Sequence, residues 1–297
     1  MGKTITFLIH GGLGNQLFQY TAGLHAERVW GVPVRFHVLA PLKDRRAHPR
    51  PFMLDQFMIS KPMLRVGWLM RRSLYGSKLI PVKLAVHRMA GIRVLDETVL
   101  HDMDPLMQNL PPEGKKLLFR GYWQSVTYMD GQEERLREEL RFRNLPEGNN
   151  AEMLARIKGE PCPVSLHIRR GDYRQVSNGS ILLPLEYYHQ AIDRMLALDP
   201  ASRFFVFSDD LDWARENLPR DLPATFVVGN NEEQAHEDLR LMSDCKHHII
   251  ANSSFSWWGA WLNPDPNKRV IMPKFWMGAM QTPEGLIPAR WETVWTE

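Results

Sequence analysis

Cysteine is scarce in this sequence of 297 residues, which contains only Cys162 and Cys245. Two cysteines without a Cys-x-x-Cys spacing exclude a disulfide framework and a cysteine-based zinc cluster. Cys245 stands close to His247 and His248, but metal sites usually draw their ligands from more distant parts of a chain. We therefore interpret these side chains as core residues and expect reduced thiols.

A strong charge excess is also missing, because 37 Lys and Arg residues face 34 Asp and Glu residues, which gives a net charge of +3. A general nucleic-acid-binding protein needs a strongly basic face, so that function class is excluded. The chain runs from Met1 straight into a strand-like segment at residues 4–9, without a charged leader followed by a long apolar run. We therefore predict a cytoplasmic protein.

Positive charge is concentrated locally, since residues 61–93 contain eight Lys or Arg residues and no acidic one. Apolar and aromatic side chains lie among these cations, a pattern typical of basic amphipathic surfaces that bind anionic lipid headgroups. One hypothesis is a peripheral contact with the inner membrane. The alternative is a solvated helical insertion.

Ten Trp and thirteen Phe residues in a chain that is 44% hydrophobic predict a globular protein with a large core. In the second half, short apolar runs alternate with amphipathic segments, which is typical of an α/β fold with a parallel sheet. The predicted strands are residues 163–168, 203–207, 224–228, 247–251 and 269–272. The spacing of apolar residues predicts helices over residues 185–198 and 232–244.

The first half opens with a predicted strand at residues 4–9, a glycine turn at 11–14 and a helix from near Asn15. The residues that should share one side of this helix are Leu17, Thr21, Leu24 and Arg28. The pattern becomes irregular after Leu39 and is regular again only near residues 117–119 and in a charged helix over 131–141.

A polar linker at residues 144–150, with Pro146 and Gly148, marks the domain boundary. We therefore predict two domains, residues 1–147 and 148–297. In such α/β domains, ligands bind beyond the carboxyl ends of the strands.

The strongest local motif follows the predicted strand at 163–168 and contains His167, Arg169, Arg170 and Asp172. Two adjacent guanidinium groups repel each other unless an anion lies between them, and a diphosphate satisfies this need. The planar fork of Arg169 can bind two phosphate oxygens without a metal ion. We expect Asp172 to pair with Arg170, which leaves Arg169 for the ligand.

A second motif, Ser208, Asp209 and Asp210, follows the next predicted strand and opens a helix. Side chains of these types cap the free N–H groups of a helix, but capping explains only one of the three. A carboxylate that is left over, either Asp209 or Asp210, can accept hydrogen bonds from guanine or a ribose hydroxyl.

A third motif at residues 252–261 follows the predicted strand at 247–251 and begins a helix. Serines at a helix N-terminus bind phosphate through free backbone amides and the helix dipole. We therefore predict a phosphate contact here. For Trp257, Trp258 and Trp261, which recur at helical spacing, we favour core packing over sugar stacking.

The glycine turn at residues 10–16 lacks the Lys-Ser/Thr pair of a P-loop and the spacing of a dinucleotide-binding motif. It does let the backbone approach a ligand, which the amides of Asn15 and Gln16 could reach. Two Asp-x-Asp triplets, at 102–104 and 210–212, match a pattern that holds a divalent cation in many sugar transferases. Turn and cap roles explain both triplets better, so we predict no metal site.

Taken together, the segments at residues 10–16, 166–173, 207–210 and 252–261 resemble the bacterial α-1,2-fucosyltransferases. The His-x-Arg-Arg block is shared with other GDP-fucose enzymes. The resemblance implies a GT-B-like α/β fold, in which two Rossmann-like domains face a central cleft. The first domain would lie on the acceptor side, and the second would bind GDP-L-fucose.

The same resemblance implies the reaction. L-fucose would move to the 2-hydroxyl of a terminal β-galactose with inversion, and no metal or other cofactor would be required. The acceptor would be a galactose-terminated oligosaccharide, and a lipid-linked glycan would suit an enzyme at the inner membrane face.

Roles for individual residues also follow from the resemblance. Arg169 would bind the β-phosphate with His167 near the nucleotide, while Asp209 or Asp210 would contact guanine or ribose. The other predicted donor contacts are Gly12, Asn15, Gln16, Asn252, Ser253, Ser254 and Phe255. The base that activates the acceptor hydroxyl is left open between Asp172 and His10.

Two alternatives compete with this interpretation. A fucosyltransferase that forms another linkage, such as α-1,6 or an O-linkage to protein, would use much the same donor site. A non-catalytic, tryptophan-rich glycan-binding protein would explain the aromatic residues but not the arginine and aspartate pairs.

Overall fold

The structure is a computed structural model that describes residues 3–39, 50–65, 91–97, 116–175, 179–277, 280–282 and 284–294. The chain divides into two compact units, Met1–Arg141 (unit 1) and Phe142–Glu297 (unit 2). The predicted boundary after Glu147 lies inside unit 2. The last part of the predicted linker is helical, because a helix begins at Gly148.

Unit 1 is built on a five-stranded parallel sheet in the order β3-β2-β1-β5-β4. Its elements are β1 (Thr4–Ile9), α1 (Leu13–Trp30), β2 (Val34–Val38), β3 (Met63–Arg65), β4 (Ile92–Asp96), β5 (Lys116–Arg120) and α2 (Glu133–Glu139). The sequence analysis found β1, α1, β5 and α2 but missed β2, β3 and β4. Of the missed strands, β3 and β4 lie in the irregular region, where no alternating pattern marks them.

Helix α1 is buried on all sides over most of its length. Every residue from Leu13 to Ala26 is buried except Asn15. The helix packs so closely on β2 that a Cβ atom at Gly23 would lie 2.3 Å from the Phe36 ring. Its polar side chains therefore serve as internal anchors, and the Gln19 amide accepts from the backbone of His10 and donates to that of Gly121.

Unit 2 contains a six-stranded parallel sheet in the order β13-β10-β9-β6-β7-β8. The elements are α3 (Gly148–Gly159), β6 (Cys162–Ile168), α4 (Leu185–Leu198), β7 (Ser202–Ser208), α5 (Leu211–Asn217), β8 (Ala224–Phe226), α6 (Ala235–Ser243), β9 (His247–Ile249), α7 (Ser254–Leu262), β10 (Val270–Pro273), β11 (Phe275–Met277), β12 (Met280–Gln281) and β13 (Glu292–Val294). This strand order is that of a Rossmann-type doubly wound sheet, in which the winding direction reverses between β6 and β9. All five predicted strands are present, and β13 was missed.

The core of unit 2 confirms the predicted packing roles. All seven residues of β6 are buried, as expected for a central parallel strand. Trp257 and Trp258 are fully buried, and the Trp257 indole donates to the Leu286 carbonyl at 2.8 Å. His248 is likewise a core residue, since its ring contacts the Ser165 hydroxyl at 2.8 Å and the Asn263 amide at 2.9 Å.

The segment 61–93 lies largely outside the described residues, which include only its two ends. Lys61, at the first of these ends, forms an ion pair with Glu27 at 2.5 Å. None of the helices in the described part of the chain is long and apolar enough to cross a membrane.

Candidate donor site

The three motifs of the second half come together at one edge of the unit 2 sheet. Residues 169–174 follow β6, residues 209–210 follow Ser208 at the end of β7, and residues 252–255 follow β9. These strands are neighbours, and the winding reversal between β6 and β9 opens a crevice where doubly wound sheets bind nucleotides. The topology therefore places the predicted donor residues where the fold offers a binding site.

Arg169 stands between two carboxylates at this edge. Its Nη2 contacts Oδ1 of Asp172 at 2.6 Å, and its Nη1 contacts Oδ2 of Asp209 at 2.9 Å. The expected pairing of Asp172 with Arg170 is wrong, because the short turn Asp172–Arg174 brings this carboxylate back onto Arg169. The guanidinium group is therefore held at both of its terminal nitrogen atoms, and 20% of the Arg169 side chain is exposed.

Arg170 and Asp210 form a separate structural pair. The Nε of Arg170 lies 3.3 Å from Oδ2 of Asp210, and its guanidinium carbon lies 3.8 Å from the centre of the Trp213 ring. Asp210 also contacts Arg174 and caps α5 by accepting from the Trp213 backbone at 3.4 Å. Of the two aspartates, Asp210 is thus committed to the fold, whereas Asp209 lies beside Arg169.

Gly171 is a site residue whose role the sequence did not reveal. A Cβ atom here would lie 2.7 Å from Oδ2 of Asp209, much closer than side chains approach each other. Asp209 is further held by the backbone N–H of Arg170, which donates to its Oδ1 at 2.8 Å. The absence of a side chain at 171 therefore allows Asp209 to reach Arg169.

His167 lies at the end of β6, with its ring 5.8 Å from that of Phe255. Burial lowers the pKa of His167 to about 3; the Asp209 charge opposes this shift and the Arg169 charge adds to it. The ring is therefore neutral at pH 7. Its buried Nδ1 has no hydrogen-bond partner among the described residues, so it can serve a ligand group.

The motif after β9 combines a helix cap with an anchor. The Ser253 hydroxyl caps α7 by accepting from the Phe255 backbone at 3.3 Å, and Ser254 begins the helix. The buried Asn252 amide donates to the carbonyls of Ile181 and Trp276 at 2.8 and 2.9 Å. These two bonds assign Asn252 to holding the surrounding loops.

In unit 1, the glycine turn links β1 to α1. The Gln16 amide is buried and forms three hydrogen bonds with backbone groups of Gly11, Pro51 and Met53. Gln16 thus supports the turn. By contrast, Gly12 has a φ of −69°, and no atom of the described residues lies within 4 Å of its Cβ position, which leaves room for a ligand beside it.

His10 and Asn15 flank this turn. Burial, assisted by the Arg120 charge, lowers the pKa of His10 to about 4 although Asp96 opposes the shift. The ring is therefore neutral at pH 7, and its Nε2 has no hydrogen-bond partner in the described part of the chain. Asn15 accepts a hydrogen bond from the Gln124 amide at 2.8 Å.

The Asp-x-Asp triplets differ in what the structure describes. Asp102 and Asp104 lie outside the described residues. In the other triplet, Asp210 is the helix cap, and Asp212 is exposed and contacts Arg215 at 3.1 Å. Within the described ranges, no group of three His, Cys, Asp or Glu side chains is arranged to hold a metal ion.

Comparison with known proteins identifies the family. Residues 101–283 match the description glycosyl transferase family 11. The O-antigen biosynthesis glycosyltransferase WbnK of Escherichia coli is 32% identical, and the alignment covers 90% of this chain and 93% of the relative. The chain belongs to glycosyl transferase family 11.

Other similar proteins agree with this assignment. An α-1,2-colitosyltransferase of Escherichia coli is 32% identical to our family 11 member over 90% of each chain. A solved structure of an Arabidopsis thaliana FUT1 mutant in complex with GDP has a similar fold, with a TM-score of 0.52 and 11% identity, over 97% of this chain and 75% of that one. The protein is thus a glycosyltransferase enzyme, and the predicted GT-B-like α/β fold is confirmed.

Proposed function

We propose that this family 11 enzyme transfers L-fucose from GDP-L-fucose to the 2-hydroxyl of a terminal β-galactose, with inversion and without a metal ion. The observation that carries the proposal is the Arg169 guanidinium, which is held between Asp172 and Asp209 at the winding reversal of unit 2. A fork fixed in this way is suited to a diphosphate.

In the proposed reaction, the bond between the fucose anomeric carbon and the β-phosphate oxygen breaks as the acceptor oxygen attacks. Negative charge then grows on the departing GDP. Arg169 and the N-terminus of α7 at Ser254 stabilise this charge, which is the task that a metal ion performs in other transferases. His167 contacts the nucleotide, and Asp209 binds ribose or guanine next to Arg169.

The acceptor hydroxyl must lose its proton during the attack. Asp172 and His10 remain the two proposed bases. Asp172 lies in unit 2 and its carboxylate contacts the Arg169 guanidinium at 2.6 Å. His10 of unit 1 is neutral at pH 7 and its buried Nε2 has no hydrogen-bond partner among the described residues, but the lowering of its pKa to about 4 makes it a weak base.

A second candidate donor is GDP-colitose, because a relative that is 32% identical is an α-1,2-colitosyltransferase. Colitose differs from L-fucose in lacking one ring hydroxyl. Purified enzyme should therefore be incubated with lactose and either donor in excess EDTA, with products detected by mass spectrometry and the linkage read by NMR. An α-1,2-fucosylated product supports the proposal. If the enzyme uses only GDP-colitose, then GDP-colitose and not GDP-L-fucose is the donor.

The role of Arg169 can be tested with Arg169→Lys, which keeps the charge but loses the fork. We expect kcat to fall by about 10²–10³-fold, as when an oriented donor to a developing charge is removed. Arg215→Lys is the matched control, since Arg215 lies on α5 outside the motif, where it forms an exposed ion pair with Asp212 and its guanidinium carbon is 5.3 Å from the centre of the Phe226 ring. Turnover close to that of the wild type in a folded Arg169→Lys protein would contradict the bidentate role.

The proposed acceptor is a galactose-terminated oligosaccharide, and a lipid-linked form is part of the proposal because one relative acts in O-antigen biosynthesis. Contact of residues 61–93 with the inner membrane face would bring the enzyme to such an acceptor. Co-sedimentation with anionic vesicles at low salt tests this contact. If the protein stays in the supernatant, the proposed membrane contact is wrong.

A further inference from the structure

The turn after β1 and the loop after β5 form a second candidate site, which lies wholly within unit 1. β1 and β5 are neighbours, and the sheet continues to β2 and β3 on one side and to β4 on the other. This is the winding reversal of unit 1, so the carboxyl ends of β1 and β5 are where an α/β sheet binds ligands. The two segments are residues 10–15 and 121–124.

The loop after β5 is held in a strained conformation. Trp123 has a φ of 55° and is the sole non-glycine residue with a positive φ in the described part of the chain. The Glu97 carboxylate accepts hydrogen bonds from the backbone N–H groups of Tyr122 and Trp123. The buried Trp123 ring packs against Phe7 and Phe119, with 6.0 Å between ring centres in each pair. Strain that the surroundings maintain in this way is characteristic of functional sites.

The neighbouring Gly121 shows how closely this loop is fitted to Glu97. A Cβ atom at Gly121 would lie 2.5 Å from the Cβ of Glu97. Burial raises the pKa of Glu97, and its two backbone hydrogen bonds oppose the shift. Partial burial of a carboxylate is costly, and the hydrogen bonds from the Tyr122 and Trp123 backbone offset this cost.

The consequence of this geometry is the exposure of Tyr122. Its flanking residues Gly121 and Trp123 are buried, whereas Tyr122 is 44% exposed. The ring lies beside the glycine turn, because a Cβ atom at Gly11 would be 3.4 Å from its Cε1. The centre of the His10 ring is 5.3 Å away.

Hydrogen-bonding groups surround this aromatic ring. The Asn15 and Gln124 side chains are joined by a hydrogen bond of 2.8 Å, which fixes both amides beside the turn. The His10 Nε2 has no hydrogen-bond partner among the described residues, and no described atom lies within 4 Å of the Cβ position of Gly12. An exposed aromatic face with fixed amides and a neutral imidazole matches a sugar ring, which has an apolar face and a rim of hydroxyl groups.

We propose that the Tyr122 ring stacks on the apolar face of the acceptor hexose, and that Glu97 is the positioning residue that holds the loop presenting it. A β-galactoside offers such a face through the hydrogens on C3, C4 and C5. This inference rests on the proposed function, because the acceptor is the galactoside named there. Tyr122 sets acceptor affinity and takes no part in donor binding.

The test is steady-state kinetics of Tyr122→Ala and Tyr122→Phe with GDP-fucose and lactose. Tyr122→Ala should raise the KM for lactose by about tenfold and leave the KM for GDP-fucose unchanged. Tyr122→Phe should stay within about twofold of the wild type, because stacking needs the ring and not the hydroxyl. Val29→Ala is the control, since Val29 is similarly exposed at 39% but lies in the last turn of α1.

Glu97→Gln tests the positioning role. The amide has one acceptor oxygen where the carboxylate has two, so it cannot keep all the hydrogen bonds from the Tyr122 and Trp123 backbone. It should raise the KM for lactose severalfold while kcat and the KM for GDP-fucose hold. An unchanged KM for lactose in Tyr122→Ala, or a raised KM for GDP-fucose, would overturn the inference. Equal falls of kcat/KM for both substrates in Glu97→Gln would reduce Glu97 to a stability role.

Saturation-transfer NMR with methyl β-galactoside separates this inference from the proposed function. In the wild type, we expect saturation transfer to the hydrogens on C3, C4 and C5 of the sugar, and loss of this transfer in Tyr122→Ala. This result supports stacking on Tyr122 even if GDP-fucose proves to be the wrong donor. If Tyr122→Ala binds the sugar as the wild type does, stacking on Tyr122 is refuted even if fucosyl transfer is observed.

Discussion

Gly171→Ala is the most direct test of the arrangement around Arg169, since it adds one methyl group beside Asp209. The new Cβ atom would lie 2.7 Å from Oδ2 of Asp209, whereas 3.4 Å is the lower end of ordinary contact. Asp209 must therefore move by about 0.7 Å, the difference between these distances. The backbone φ of −37° at Gly171 is outside the left-handed region, so the effect arises from this contact.

The expected cost follows from the contacts that Asp209 makes. Its carboxylate contacts Arg169 at 2.9 Å and accepts from the Arg170 backbone at 2.8 Å. Weakening these charge-assisted hydrogen bonds and crowding the loop should destabilise unit 2 by about 2 kcal/mol. For a domain of this size, Tm should fall by about 4–8 °C. GDP should bind about tenfold more weakly, because Arg169 loses one of the two carboxylate contacts that orient its guanidinium group.

Differential scanning calorimetry and isothermal titration with GDP measure the two effects. Gly159→Ala is the matched control, because it adds the same methyl group at the end of α3 where nothing lies within 4 Å. Its Tm and GDP affinity should not fall. Asp209→Ala provides a double-mutant cycle, since the added methyl group has little to displace once the carboxylate is gone. The reasoning is refuted if Gly171→Ala costs as much in the Asp209→Ala background as in the wild type.

Three further predictions concern the other residues of the two sites. Asn252→Ala removes two buried hydrogen bonds and should cost about 1–3 kcal/mol of unfolding free energy in urea titrations, and a smaller loss would contradict the anchoring role. Gln16→Leu leaves three backbone groups without their partner and should destabilise the protein by a similar amount of about 1–3 kcal/mol while the KM for GDP-fucose holds; a raised KM would restore Gln16 as a donor contact. Burial lowers the folded-state pKa values of His10 and His167 to about 4 and about 3, below the ordinary histidine value of 6.5, so between pH 6.5 and about 4 only the unfolded chain takes up these protons and the folded state loses stability as the pH falls. The slope should be about 1.4 kcal/mol per pH unit and histidine, and urea titrations at pH 7 and 5 should show a smaller difference in a His10→Gln, His167→Gln variant than in the wild type.

The sequence by itself determined the strands and helices that carry a strong local pattern. The strands β6, β7 and β10 are largely apolar runs, because a parallel strand at the centre of a sheet is buried on both faces. Helix α4 has the predicted bounds, since apolar residues recur along it at helical spacing. The donor motifs follow predicted strands, so their place at the carboxyl edge could be predicted from the alternation of strands and helices alone.

Other features were decided only by contacts between residues far apart in the chain. Strands β3, β4 and β13 are short segments of three to five residues, and they become strands by pairing with neighbours that the local pattern does not reveal. Residues 13–26 of α1 are buried except Asn15, and the Gln19 side chain in this stretch bonds to the backbone of Gly121, 102 residues away.

The site shows the same division. The sequence indicated that Arg169, Arg170 and two aspartates lie together, because they follow adjacent strands. The choice of partner depended on the turn after β6 and on the space at Gly171, which places Asp209 against Arg169. The exposed Tyr122 is further removed from any sequence signal, since its presentation depends on Glu97, a residue of the preceding strand end. Local periodicity thus determined the framework, whereas side-chain pairing across strands determined which groups are free to act on a ligand.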